Sequence, residues 1–251
     1  MTTTTLSTTF DQTTPRSNTA QTDRGWSSLF KIGGTTAVIT LILIPFGAIP
    51  FLIGSRPDTV QEWFALLRDN RLLGLALLDI PNLVVNVLAI GLYLALGAAL
   101  WRKNQSLTAI ATALGLVAVT LYITTNPALS MLGLNERYTA TTGEAQRTLL
   151  LAAGQMILTT YQSSTTFTVS YLFGALATLT VSIVMWQDRG RTFSRWCAGL
   201  GVAASLVTLG LFIPVIGLYI SIFSLLFYAP WLALVARGLF KLSRQASTTI
   251  G

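Results

Sequence analysis

The sequence predicts an all-α fold, a polytopic membrane helix bundle of six transmembrane helices with short amphipathic helices in its loops. Three observations carry that expectation. Hydrophobic residues make up 52% of the 251 positions and charged residues 10%, against roughly 25% charged in an ordinary soluble domain, so the chain cannot cover itself with polar surface. Between Gly33 and Leu242 apolar runs recur at about the 20-residue length that crosses a bilayer. The 16 Lys and Arg residues sit at the ends of those runs, with no basic helix or patch with interleaved aromatics, which argues for a bilayer and against a nucleic-acid partner.

Residues 1–30 are rich in Thr, Ser, Gln and Asn and read as a disordered cytoplasmic tail without a signal-peptide core. Span 1 is expected from about Gly33 to Gly54, with Pro45 and Pro50 bending its outer half. Thr59 and Glu62 then show capping-box spacing, followed by Val60, Trp63, Phe64 and Leu67 at i, i+3, i+4, i+7. Such a short helix either lies on the bilayer surface or packs on other loops.

Span 2, Leu72 to Trp101, is an apolar run that nonetheless carries Asp79, Pro81, Asn82 and Asn86. On one continuous helix, Asp79, Asn82, Asn86 and Tyr93 share a face, which should point at protein or water. Span 3 runs from about Leu107 to Leu129 and ends in Thr124, Thr125, Asn126 and Pro127. A second capping-box spacing, Thr141 with Glu144, predicts a helix start in the following polar loop.

The uncharged stretch from Leu149 to Trp186 is read as an outer-face amphipathic helix to about Tyr161, then span 4 from about Thr166 to Trp186. The 13 residues of 149–161 reach only about 20 Å of a roughly 30 Å core, which disfavours a seventh span. Span 5, from Trp196 to about Phe212, presents Cys197, Gly201 and Ser205, and also Gly199 and Ala203, as small residues four apart, suited to close helix contact in lipid. Span 6 covers about Leu218 to Phe240. The organisation is thus a tail at 1–30, a membrane domain at 31–242 and a short basic tail at 243–251.

With six spans and the N-terminus inside, the inner segments hold Arg16, Arg24, Lys31, Arg102, Lys103, Arg189, Arg191, Arg195, Arg237, Lys241 and Arg244, eleven of the sixteen basic residues. The positive-inside rule therefore places both termini in the cytoplasm. Trp26, Trp101, Trp186 and Trp196 fall at the same boundary, as an aromatic belt should.

Helix arithmetic places the polar interruptions of spans 2, 3 and 4 at one level. From Trp101 back to Asp79 is about 33 Å of helix, from Leu107 to Asn126 about 29 Å, and from Trp186 to Thr166 about 30 Å. The functional reading is an outward-facing polar pocket lined by Asp79, Asn82, Asn86, Thr125, Asn126, Tyr161, Gln162 and Thr166. The structural reading has Asp79 and the Asn side chains capping bent helix ends beside Pro81 and Pro127. Gln155, Thr159, Gln162 and Thr166 also share a face if their helix is continuous, as a hydrogen-bond seam or a pocket wall.

No His and one Cys, Cys197, are present, which excludes Ser-His hydrolysis, His-ligated haem and zinc held by His or several Cys. The nucleotide-binding GxxxxGK[ST] pattern is missing, and the spans carry a single carboxylate. No catalytic, cofactor-binding or metal site is expected. The composition favours a non-enzymatic membrane or protein-interaction module, partnered by the bilayer and by a membrane protein or a second copy. The alternative is a small transporter or ligand sensor using the pocket around Asp79.

An Asp in the outer half of span 2 within LLDIPNLVVNVLAIGLYLAL, a basic inner loop leading into FSRWCAGLGV, and a terminal aromatic-rich span resemble a family of six-span bacterial integral membrane proteins known only as a domain of unknown function. The resemblance covers about Gly33 to Phe240 and implies a fold and a location in the bacterial cytoplasmic (inner) membrane. It implies no activity. Members often carry extra charged or His residues around span 4, where this chain has Tyr161, Gln162 and a Ser/Thr run.

Overall fold

A computed structural model describes residues 16–47, 56–162, 165–188, 190–214 and 216–248. Among them the chain forms helices α1 (Arg16–Gly47), α2 (Val60–Asp69), α3 (Arg71–Leu77), α4 (Ile80–Leu100), α5 (Gln105–Thr125), α6 (Ala128–Ala140) and α7 (Glu144–Gln162). These are followed by α8 (Thr165–Gln187), α9 (Arg195–Leu209) with a 3-10 turn at Gly210–Phe212, α10 (Gly217–Phe223) and α11 (Leu225–Thr248). Six stretches of the described residues, in α1, α4, α5, α8, α9 and α11, are long and apolar enough to cross a membrane.

Those six helices close into a ring, in which α1 packs on α4, α4 on α5, α5 on α8, α8 on α9, α9 on α11 and α11 back on α1. The interior is filled by Leu92, Leu96 and Leu100 of α4, Val181, Val184 and Met185 of α8, and Trp231, Leu232 and Val235 of α11. Small residues set the closest approaches. A Cβ on Gly33 of α1 would collide with the Ala95 side chain, and one on Gly201 of α9 would meet Ser182 Oγ and lie 2.6 Å from Trp231 Nε1. Cys197, Gly201 and Ser205 are buried while Gly199 and Ala203 are half-buried, so the first of the two small-residue rows is the packed one.

Ser27 Oγ donates to the carbonyl oxygen of Ser243 at 3.2 Å. The start of α1 and the end of α11 therefore share one end of the bundle, together with Trp101 and Arg102 after α4. An even number of crossings is required, which removes the seven-span alternative.

Helices α2, α3, α6 and α7 form a cap at the opposite end. Val60, Trp63, Phe64 and Leu67 of α2 are buried with Leu77, Leu78, Ala128, Met131 and Leu158 in a second, separate core, and α2 packs on α3, α6 and α7. Phe64 meets Tyr138 with ring centroids 5.2 Å apart. The apolar face of α2 is thus covered by protein, the loop-packing reading, and not by the bilayer surface. Helix α5 alone spans about 31 Å, enough for a roughly 30 Å hydrocarbon core without α6.

Several expected boundaries move. Helix α1 begins at Arg16, inside the stretch read as a disordered tail, while residues 1–15 and 48–55, including Pro50, lie outside the described residues. Span 2 is broken at Asp79 and span 3 at Asn126–Pro127. Span 6 is interrupted at Ser224 and then continues as helix to Thr248, through most of the expected C-terminal tail. The Thr59–Glu62 capping box forms, with Thr59 Oγ1 accepting from the Glu62 N–H at 3.3 Å and Glu62 Oε2 accepting from the Thr59 N–H at 3.3 Å. The second does not. Helix α7 starts at Glu144 as expected, but Thr141 caps the end of α6 and donates its hydroxyl to the Arg137 carbonyl at 2.8 Å.

Candidate functional site

The polar residues of spans 2 and 3 meet where both helices break. Asp79 stands between α3 and α4 with φ 72° and ψ 27°, a left-handed conformation that short polar side chains tolerate better than other non-glycine residues. That turn ends α3, and Pro81 follows within the first turn of α4, where its missing N–H costs no helical hydrogen bond. Local chemistry therefore permits the break. The break also corrects the continuous polar stripe, because Asp79 belongs to a junction and not to a helix face.

The Asp79 side chain is buried and makes no capping bond to α4. Its Oδ2 accepts a short hydrogen bond from the Tyr122 hydroxyl, and its Oδ1 accepts from the Asn82 amide at 2.7 Å. The Asp79 carbonyl accepts from the Asn126 amide at 3.3 Å, while Asn126 Oδ1 accepts the backbone N–H of Ala128 at 3.0 Å and so starts α6. One junction is thereby tied to the other. The positive charge of Arg56, ahead of α2, also acts on Asp79.

Aromatic rings close the site on the α8 side. Phe167 lies 5.9 Å from Tyr122, 4.8 Å from Tyr171 and 6.2 Å from Tyr161, centroid to centroid. Of the expected pocket residues, Asp79, Asn82 and Asn126 share hydrogen bonds, and Tyr161 joins them through Phe167. Asn86 donates instead to the carbonyl of Asn82 at 2.9 Å, and Thr125 to the carbonyls of Leu121 and Tyr122 at 3.1 and 3.0 Å. These two satisfy their own helices. Thr166 is half-buried in the first turn of α8, and the side chain of Gln162 lies outside the described residues. Gln155 Nε2 and Thr159 Oγ1 lie 3.4 Å apart on the exposed side of α7. Residues 163–164, which would decide whether their face runs on to Thr166, are outside the described residues.

Tyr122, Phe167 and Tyr171 were not among the residues expected from the sequence. Tyr122 precedes Asn126 by four positions and Phe167 precedes Tyr171 by four, so each pair shares a helix face, a signal available without coordinates. The chemistry of the assembled group is that of a closed tie. Both carboxylate oxygens and the carbonyl of Asp79 have donors, and the nearest hydroxyl and amides are spent on them.

A second polar group at the Arg102 end was equally unexpected. Lys103 Nζ lies 2.6 Å from Oδ1 of Asp188, whose side chain is fully buried, and Asp188 Oδ2 accepts the Thr192 N–H at 2.6 Å. Burial would raise this carboxyl, but the Lys103 ammonium and the Thr192 bonds outweigh it and hold it below its ordinary range. The turn this carboxylate organises carries Gly190 at φ 82° and seats Phe193 against Gly238 of α11.

Compared with known proteins, the chain matches no family model, no curated protein and no solved structure.

Proposed function

We propose that this integral membrane protein is a non-enzymatic module that holds its helical cap outside the bilayer for a protein partner, either another membrane protein or a second copy. The observation that supports this reading is the cap itself. It has its own buried core, lies beyond the length that crossing requires, and leaves Leu72, Leu129, Leu149 and Met156 exposed. Large apolar side chains left exposed on a small cap are the composition of an interaction surface. The tie at Asp79 serves as the anchor that sets the cap on the bundle. The distribution of Lys and Arg supports a bacterial cytoplasmic membrane with the Arg102 end inside and the cap outside, in keeping with the resemblance to the bacterial family.

The test is site-specific photo-crosslinking in native membranes, with the reactive residue at Leu149 or Met156 and, as a lipid-facing control, at Val117. A discrete protein adduct at the cap positions and none at Val117 is expected. Recovery of the uncrosslinked chain alone from all three positions overturns the proposal.

The ligand-sensor alternative rests on a carboxylate beside the aromatic faces of Tyr122, Phe167 and Tyr171, the groups that recognise organic cations. Its test is the thermal stability of wild type and Asp79→Asn with and without added organic cations. A cation-dependent shift confined to wild type supports it, and identical behaviour of the two proteins overturns it.

A further inference from the structure

Charge is divided unevenly between the two ends of the molecule. The carboxylates of Asp58, Glu62, Asp69, Glu136 and Glu144 stand in the cap or just before it, interleaved with basic residues such as Arg68, Arg71 and Arg137. At the opposite end the one carboxylate among the described side chains is Asp188, fully buried against Lys103. Phe193, from the turn that Asp188 organises, is buried against Gly238 of α11. The turn carrying Arg191 and Arg195 therefore lies beside the stretch of α11 that carries Arg237 and Lys241. All four basic side chains are exposed, and among the described residues none of them has a hydrogen-bond or ion-pair partner.

Helix α11 presents an outward stripe that changes character at one point. Leu226, Pro230, Ala233, Arg237 and Lys241 follow one another at steps of three or four and are all exposed, so they share one face. The stripe is apolar from Leu226 to Ala233 and basic from Arg237 onward. From Leu226 to Arg237 is about 16 Å of helix, half of a roughly 30 Å hydrocarbon core. The apolar part thus has the depth of one leaflet, and the cations stand at the level of its headgroups. Trp196, next to Arg195, is 82% exposed, as befits an aromatic side chain at the boundary between headgroups and hydrocarbon.

An occupant that satisfies both parts of the stripe has an anionic head and apolar tails. Two cations one helical turn apart suit a phosphate oxygen cluster between them, and the exposed apolar positions below them suit acyl chain. A second copy in the same orientation would bring its own cations to this level, with its Asp188 already buried. A soluble acidic segment would leave the apolar part uncovered. We infer that the Arg237–Lys241 face of α11, with the adjoining turn at Arg191 and Arg195, is a binding site for anionic phospholipid of the leaflet opposite the cap. The site needs no partner at the cap.

The experiment is native mass spectrometry of the full chain released from detergent containing equal amounts of dioleoyl phosphatidylglycerol and dioleoyl phosphatidylcholine. Wild type should retain phosphatidylglycerol preferentially. The double variant Arg237→Gln, Lys241→Gln should lower that preference by at least about fivefold, the factor that one basic side chain confers near an anionic surface. Arg237→Lys should keep it. Arg68→Gln with Arg137→Gln, which removes the same charge from exposed positions in the cap, should leave it unchanged. Soluble poly-glutamate and inorganic phosphate should displace none of the bound phosphatidylglycerol, and thermal unfolding without lipid checks that each variant is folded. Equal retention of both lipids by wild type, a preference that survives the loss of Arg237 and Lys241, or an equal fall in the cap variant overturns the inference. So does displacement by poly-glutamate, which would make an acidic protein segment the occupant, or by inorganic phosphate, which would make it a free anion. A change of oligomeric mass in the Arg237, Lys241 double variant overturns it as well, in favour of a second copy.

Discussion

The hydroxyl of Ser27 and the backbone carbonyl of Ser243, 216 residues apart in the chain, lie 3.2 Å from one another. One hydrogen bond between half-buried serines contributes little to stability, but its location bears on parity. Both ends of the described chain face the same side.

The first prediction tests which side. In a Cys197→Ser background, a cysteine at Ala140 in the cap should react with an impermeant maleimide added to intact cells, and one at Ser247 should react only after permeabilisation. The reverse pattern would invert the orientation, and labelling of both from outside would contradict the shared end of Ser27 and Ser243.

At the junction, Asp79→Asn and Asp79→Leu should separate. Asparagine tolerates the left-handed backbone and keeps an oxygen for one of the two side-chain donors, so a loss of about 1 kcal/mol is expected. Leucine leaves the Tyr122 hydroxyl and the Asn82 amide without acceptors, about 1–3 kcal/mol each, and adds about 1–2 kcal/mol of backbone strain. Unfolding midpoints in mild detergent read the difference. Equal midpoints for the two variants would deny the tie its role.

The Lys103–Asp188 pair predicts a pH dependence. The folded carboxyl of Asp188 titrates below its unfolded value, so its contribution is present above the ordinary carboxylate range and is lost as pH falls through the folded value. Lys103→Met should cost about 2 kcal/mol at pH 7 by leaving a buried carboxylate unpaired, and the gap to wild type should narrow as pH is lowered toward 3. A gap that is constant from pH 7 to pH 3 would remove the pair from the stability of the turn after α8.

Within the bundle, Gly201→Ala should lower the unfolding midpoint, since even a methyl group meets Ser182 Oγ and Trp231 Nε1. Overpacking of this kind costs about 1–3 kcal/mol. Adding Ser182→Ala removes one of the two obstructing atoms and should recover part of the loss. Failure of the double variant to recover any would place the strain elsewhere.

In the cap, Phe64→Ala should cost about 3–5 kcal/mol locally and leave the ring of spanning helices intact. Proteolysis at the 141–143 connection should accelerate while hydrogen exchange in α5 and α8 stays unchanged. Exchange rising in both regions would mean that cap and bundle unfold as one.

The spans were legible because a bilayer demands long apolar helices, a requirement written residue by residue. The six stretches, the same-side termini and the convergence of Asp79 with Asn126 follow from it. Apart from the cap at Thr141, the expectations fell short where the deciding partner was distant in sequence. Hydropathy sees Leu72 to Trp101 as one helix because its neighbours are apolar, whereas the break at Asp79 depends on a left-handed turn held by Tyr122, 43 positions later. The face of α2 is apolar whether lipid or α6 and α7 cover it, so periodicity alone could not choose between them. The role of Asp188 depends on Lys103, from the connection between α4 and α5 and 85 positions earlier. The spacing of Thr141 and Glu144 is that of a capping box, but the hydroxyl was taken by the helix that precedes it.

The ring of spanning helices closes through α1 against α11, and this has a consequence for biogenesis. A ribosome delivers α1 to the membrane ahead of the other spans of the ring and its neighbour α11 after them, so Gly33 and Gly34, which sit against α4 and α11, must wait through the synthesis of all the spans between for the second of those partners. During that interval the nascent bundle is an open horseshoe with a seam of small residues facing lipid. A chain truncated before α11 should remain open, a substrate for membrane quality control and not a smaller version of the finished protein.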